Sequence, residues 1–308
     1  MGFRIQTNIP SMNGQRHLGI TTQRLSAAME KLSSGHRINR AADDSAGLAI
    51  SQKMIAKIRS DTQAKRNALD GISMVQTAEG GLNEITNIVT RLRELSVQAA
   101  SDTIGSLERG FLQKEFSQLK FEIDRIANVV DFNGTHLLTG NSGLPQTYKD
   151  GHNFSPLEIQ VGSDYHPLED GFYAQNPTNI IRLDLSRMCA LTSGENSLQL
   201  GTDGAENEVR IDSKLGAQMA LNRIDSALDK VNSYRSELGA IQNRLQSSIN
   251  NTAIHIEAIS AANSRIRDTD FAEESAISVQ QQILQQSGVA VLSQAVKMPQ
   301  TALKLLEG

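Results

Sequence analysis

Tryptophan is absent from this 308-residue chain, cysteine occurs once, at Cys189, and tyrosine and phenylalanine number only 4 and 8. Each scarcity excludes something. One thiol cannot build an internal disulfide framework or a CxxC metal site. With so few rings, the 39% hydrophobic content rests on Leu, Ile, Val and Ala, which suit seams between helices better than a thick globular core. No apolar run approaches transmembrane length, and residues 1–10 contain no apolar h-region or small-residue cleavage site, so neither membrane insertion nor a cleavable signal is expected. Net charge is -4, and the 30 basic residues are dispersed, which argues against nucleic acid and anionic membrane surfaces as partners.

Catalytic signatures are missing as well. Ser117-Gln-Leu-Lys120 fits SxxK, but Leu119 belongs to an apolar stripe and no SDN or KTG partner exists. His255-Ile-Glu257 is half of a deaminase signature without its PCxxC half. There is no HExxH, P-loop or GxGxxG, and the 6 histidines lack metal-ligand spacing, so no enzyme activity and no cofactor are expected. Asp43-Asp44 and Glu273-Glu274 read as acidic residues at helix starts, where they complement the helix dipole, rather than as acid-base pairs. Asn133-Gly-Thr135 and Asn250-Asn-Thr252 fit the N-glycosylation pattern but read more simply as a turn and as helix.

What is present is periodicity. Leu18, Leu25 and Leu32 recur seven apart, with Thr21 and Ala28 between them, up to a stop at Ser33-Ser34-Gly35. A second helix, opened by Asp43, Asp44 and Ser45 as capping residues, runs to about Ala100. At 1.5 Å per residue, its roughly 55 residues would span roughly 80 Å. Its seam reads Ile85, Ile88, Leu92, Leu95 and Ala99, with Gly80-Gly81 as a weak point. After a polar break at residues 101–105 come Leu112, Phe116, Leu119, Ile123, Ile126 and Val130, an antiparallel partner for the helix before. Asn133-Gly134 signals a turn.

Between residues 139 and 205 the pattern becomes strand-like, at Leu157-Glu-Ile-Gln-Val161, Ile181-Arg-Leu-Asp-Leu185 and Leu198-Gln-Leu200, with Val209-Arg-Ile211 as a further candidate. Helical spacing returns at Leu221, Ile224, Leu228, Val231, Leu238 and Leu245, interrupted by Arg235 and Gln242, and continues through Ile249, Ile256, Ile259 and Ile266. A last helix carries Ile277, Leu284, Val291 and Met298 seven apart, among many glutamines. The fold class is therefore mainly α: an elongated helical bundle or coiled coil formed by both chain ends, with a small β-rich central elaboration. Each terminal stripe is too narrow to stabilise a lone helix, so the first and last helices are expected to pair and to bury what remains against other copies of the chain.

Particular residues carry a resemblance. Leu32-Ser-Ser-Gly-His-Arg-Ile-Asn-Arg-Ala-Ala-Asp-Asp-Ser-Ala-Gly-Leu-Ala-Ile50, Leu82-Asn-Glu-Ile85, Arg93-Glu-Leu-Ser-Val-Gln98, Phe132-Asn-Gly-Thr135, Ile159-Gln-Val-Gly162 and Ala262-Asn-Ser-Arg-Ile-Arg-Asp-Thr-Asp-Phe271 follow in one order. In these motifs and in its Gln-rich last helix, the chain resembles the bacterial flagellins. The resemblance covers residues 1–140 and 215–308. It implies an inner coiled-coil domain from residues 1–44 and 268–308, a helical domain from 45–139 and 206–267, and a short β-rich outer segment at 140–205. Many flagellins carry large outer domains there, for which this chain has no room. Its end, Leu303-Lys-Leu-Leu-Glu-Gly308, also differs from the common ending with a basic last residue.

For function, the resemblance implies a structural subunit that self-assembles into the helical flagellar filament for motility and lies outside the cell. It further implies export as an unfolded chain by the flagellar type III apparatus, a flagellin chaperone, and contact with hook-associated and cap proteins. Assembly residues would be Leu18, Leu25, Leu32, Ile277, Leu284, Val291 and Met298 in the inner coiled coil, and Ile85, Ile88, Leu92, Leu95, Leu112, Phe116, Leu119, Ile123 and Ile126 in the helical seam. A surface for the host flagellin-sensing Toll-like receptor would comprise Arg91, Glu94 and Leu95 of the RxREL motif with Glu115, although Thr90 stands where many recognised members have Gln. The alternatives are a hook-filament junction protein within the same family, and outside it a soluble secreted coiled-coil adaptor or immune ligand.

Overall fold

The computed structural model describes residues 8–140, 157–164, 179–185, 188–193, 197–201 and 208–306, with side chains of the last helix described as far as residue 297. The order is α1 (Ile9–Ser34), α2 (Ser45–Ala100), α3 (Ser106–Val129), β1 (Asp131–Phe132), β2 (Thr135–His136), β3 (Leu157–Gln160), β4 (Ile180–Leu183), α4 (Lys214–Arg267) and α5 (Phe271–Leu306). The protein is thus mainly α, with two small antiparallel sheets, β1–β2 and β3–β4. Much of the segment 140–205 lies outside the described residues. Packing divides the chain into one unit of Met1–Ile58 with Glu257–Gly308, and another of Arg59–Ile256.

In the first unit, α1 opens with the Asn8 side chain accepting from the Ser11 N–H at 3.1 Å and with proline in its first turn. It closes at Gly35, whose φ of 70° is the left-handed conformation that glycine adopts without a Cβ clash, and whose N–H donates to Lys31 O at 2.9 Å. The two connectors pair briefly: Arg37 N donates to Arg267 O at 2.6 Å, and Thr269 N to Gly35 O at 3.1 Å. Of the acidic residues expected to cap α2, Asp44 does so, accepting from Gly47 N at 2.9 Å. Asp43 instead closes the turn before the helix, its Oδ2 accepting from Arg40 N at 2.9 Å and Asn39 N at 3.0 Å. Those two donors hold its carboxyl below the ordinary aspartate value. Asp270 caps α5 through Ala272 N at 2.8 Å, leaving Glu273 and Glu274 in the first turn.

The core of the second unit gathers α2, α3, α4 and the described parts of the middle segment. On α4 the buried line is Ala217, Ala220, Ile224, Ala227, Val231, Tyr234, Leu238, Ile241 and Leu245. As far as Leu245 it alternates three and four, and a further step of four reaches buried Ile249. Arg235 and Gln242, read from sequence as interruptions, lie beside it because Tyr234 and Ile241 occupy the seam positions. Gly81 on α2 marks a close approach: a Cβ there would fall 2.7 Å from Val130 Cγ2 and 2.9 Å from Leu138 Cδ1. Gly80, its neighbour, faces open space.

Asn133 and Gly134 join β1 to β2 with φ of 52° and 79°, the two successive positive values of a type I′ turn, which matches the twist of a two-residue hairpin. Strands β3 and β4 pair Leu157 with Leu183 and Ile159 with Ile181. Leu198, Leu200, Val209 and Ile211 are buried but form no strand, contrary to the alternation at those positions. Gln199 has a φ of 57°, which breaks extended pairing, and side chains intervene. Gln113 Oε1 accepts from Ile211 N at 2.6 Å, Lys120 Nζ donates to Gly201 O at 3.1 Å, Lys230 Nζ to Ser197 O at 2.7 Å, and Asp124 takes both the N–H and hydroxyl of Thr192 at 2.7 Å. Side chains of α3 and α4 thus anchor these described residues, alongside backbone bonds such as Leu198 N to Leu191 O at 2.9 Å and Val209 N to Leu200 O at 3.1 Å.

Candidate assembly surfaces

Helices α1 and α5 run antiparallel, as three side-chain contacts fix: Asn8 Nδ2 donates to Ala295 O at 2.9 Å, Gly14 meets Leu292, and Lys31 Nζ pairs with Glu274 Oε1 at 3.3 Å. On α1, Leu18, Leu25 and Leu32 are half-buried, in line with buried Ser11 and Ala28. The face of α5 that meets them is polar and small. Glu274, Ser278, Gln281 and Ala295 are its buried residues, Ser278 Oγ reaches Met29 Sδ at 3.9 Å, and a Cβ at Gly288 would stand 3.5 Å from Leu18 Cδ1.

The apolar stripe read on α5 divides within a single chain. Ile277 is half-buried, but Leu284 is 47% and Val291 63% exposed, so the stripe that includes them does not face α1. Phe271, Val279, Ile283, Val289 and Val296 are exposed as well. Apolar residues lie on several sides of α5, so a period of seven could not select the packed one; glycine and serine win it because they let two backbones approach. Met298's side chain lies outside the described residues. On α1, Ile9, Met12, Ile20 and Met29 are also exposed. Large apolar side chains left in water in such numbers mark an interaction surface.

In the second unit, Ile85, Leu92, Leu95, Phe116 and Ile123 are fully buried, while Ile88, Leu112, Leu119 and Ile126 pack partly exposed against them. Val89, fully buried, holds the seam position read as Ile88. The two are adjacent apolar residues, and the preceding turn decides: Leu82 and Ile85 put position 89 in line. Arg91, one turn before Leu95, lies at the exposed flank of this seam. Its Nη2 meets Glu115 Oε1 at 2.9 Å and its Nη1 meets Glu94 Oε2 at 2.9 Å, and these bonds, Glu115's foremost, push the guanidinium above its ordinary value. Leu95 is only 1% exposed, which removes it from any surface shared with Arg91, Glu94 and Glu115.

Among the described residues no group of three or more His, Cys, Asp or Glu could hold a metal ion, and no helix is long and apolar enough to cross a membrane. Cys189 is buried, and burial pushes its thiol up, away from the reactive thiolate.

Terminal helices paired with each other and bearing uncovered apolar faces, in a chain whose other unit is a packed helical core, define a structural protein of coiled-coil type. Residues 5–143 match the bacterial flagellin N-terminal helical region, and residues 221–306 match its C-terminal helical region. A flagellin of Halalkalibacterium halodurans is 41% identical over 98% of this chain and 99% of its own length. The flagellar filament 33 kDa core protein of Treponema phagedenis is 40% identical over the same shares. In fold alone, a flagellar hook-associated protein from Vibrio parahaemolyticus is similar, with a TM-score of 0.52 at 14% identity over 73% of this chain and 100% of that one. The chain belongs to the bacterial flagellin family, whose members are structural filament proteins and not enzymes.

Proposed function

We propose that this chain is the repeating subunit of an extracellular bacterial flagellar filament. It would be exported unfolded through the flagellar type III apparatus, with a flagellin chaperone, and ordered at its ends as it meets other copies beneath hook-associated and cap proteins. One observation carries the reading. The α1–α5 seam buries Ser278, Gln281 and Glu274, while Ile283, Leu284 and Val291 stay in water, so α5 turns a largely polar side to α1 and leaves apolar side chains for a neighbour. Contacts of this kind, repeated between identical but non-equivalent surfaces, propagate instead of closing. The test is seeded polymerisation viewed by electron microscopy. Wild-type chain should yield filaments, and the double variant Ile283→Asp with Leu284→Asp should not, with unchanged helical content from the second unit. Filaments of normal yield from that variant would overturn the reading.

A second reading, recognition by the flagellin-sensing Toll-like receptor, is supported only by the exposed trio Arg91, Glu94 and Glu115. Receptor-reporter cells should respond less to an Arg91→Ala monomer. An undiminished response removes the receptor claim.

A further inference from the structure

The tip of the β1–β2 hairpin carries a chemistry that assembly does not use. Asn133 is followed by Gly134, both are exposed, and an Asn-Gly pair is the dipeptide most open to cyclisation, because glycine offers no side chain to block attack by its own backbone nitrogen. We propose that Asn133 is a latent deamidation site which the folded hairpin keeps closed and which unfolding opens.

The reaction is an intramolecular substitution. Gly134 N gives up its proton and bonds to Asn133 Cγ; the Cγ–Nδ2 bond breaks, and Nδ2 leaves with that proton as ammonia. The resulting succinimide then takes up one water across either of its two ring C–N bonds, yielding aspartate or isoaspartate at position 133. Solvent water is the sole co-reactant.

Two features of the hairpin oppose the first step. Asn133 and Gly134 are fixed at φ of 52° and 79° by the type I′ geometry between the pairs Phe132↔Thr135 and Asp131↔His136, so the turn cannot search for the ring-closing conformation. The attacking nitrogen is also occupied. Gly134 N–H donates to Asp131 Oδ2 at 3.1 Å, and the carboxylate's negative charge disfavours the amide anion that would make the attack. Both restraints vanish when the hairpin opens. The product would not simply refold, since isoaspartate routes the main chain through an extra carbon in a turn with room for two residues. Deamidation at 133 would therefore record time that a subunit has spent unfolded.

A built-in comparator exists. Asn13-Gly14 is a second Asn-Gly pair, held in α1 instead of a hairpin. Full-length protein is incubated at mildly alkaline pH, folded or in guanidinium chloride, and both sites are followed by peptide mapping with mass spectrometry and an isoaspartate methyltransferase assay. In denaturant the two sites should react at similar rates. In the folded chain Asn133 should be at least about tenfold slower than in denaturant, the factor that an opening free energy of about 1.4 kcal/mol imposes. Asp131→Ala should speed reaction at Asn133 in the folded chain and leave Asn13 unchanged. Should Asp131→Ala lower the melting temperature, Asp131→Asn, which keeps an acceptor without the charge, replaces it with the same expectation. Equal rates at Asn133 in folded and denatured wild type, or folded Asp131 variants as slow as wild type, would overturn the proposal.

Discussion

Leu95 and Arg91 are one helical turn apart on α2, yet they answer to different forces. Leu95 is fully buried, and its truncation to alanine removes side-chain volume from a packed seam, at a cost of about 2–5 kcal/mol. Chemical denaturation of Leu95→Ala should show a lower midpoint with an unchanged slope. Arg91→Ala, at an exposed ion pair, should leave the midpoint in place. A loss of receptor signalling by Leu95→Ala would therefore report unfolding, not a lost contact. Asp43 gives the residue scale a pH signature. Its carboxyl is held below the ordinary value of 3.8 by the Arg40 and Asn39 amides, so its contribution to the α1–α2 turn is fully present above that value and is lost as pH falls through the lower folded value. In an NMR titration the Arg40 and Asn39 amide shifts should move together, with a midpoint below the ordinary aspartate range.

At the scale of elements, a helix former can be the wrong residue. Gly81→Ala gains about 1 kcal/mol of helix propensity, but its methyl would press on Val130 and Leu138 where α2 meets the chain around the hairpin. Overpacking costs about 1–3 kcal/mol, so Gly81→Ala is expected to destabilise and Gly80→Ala, facing open space, to stabilise. A pair of thermal melts decides this. The same contrast explains what sequence could and could not reveal. Helix ends were legible where capping is local: Gly35 and Asp44 are read within a few residues of what they cap, whereas Asp270 as the cap of α5 was not. The packed face of α4 was harder, since alanines at 217, 220 and 227 carry it and leucine spacing draws the eye to Leu221 and Leu228. On α5 the face was legible only at Ile277. Which side of a helix with several apolar sides meets α1 depends on Gly288 receiving Leu18, a contact between residues 270 positions apart in sequence. The anchoring of Thr192, Ser197, Gly201 and Ile211 by Asp124, Lys230, Lys120 and Gln113 was equally hidden, because a strand-like alternation looks the same whether the backbone pairs with a sheet or with side chains.

For the whole molecule, the two units differ in what they bury. The unit of Arg59–Ile256 encloses a continuous apolar core, enough to keep it folded in a free subunit. The pair of α1 and α5 has a seam of half-buried leucines against glutamine, serine and glycine, and an isolated helix pair that buries so little apolar surface is marginal in water. If the ends become ordered only against other copies, hydrogen exchange should separate the two units. In the soluble subunit, amides of residues 18–32 should exchange rapidly while those of residues 85–99 and 116–127 stay protected; in seeded polymer both sets should be slow. Strong, equal protection of residues 18–32 in subunit and polymer would mean that the polar seam suffices by itself, and the uncovered Ile283, Leu284 and Val291 would then need another explanation than assembly-coupled folding.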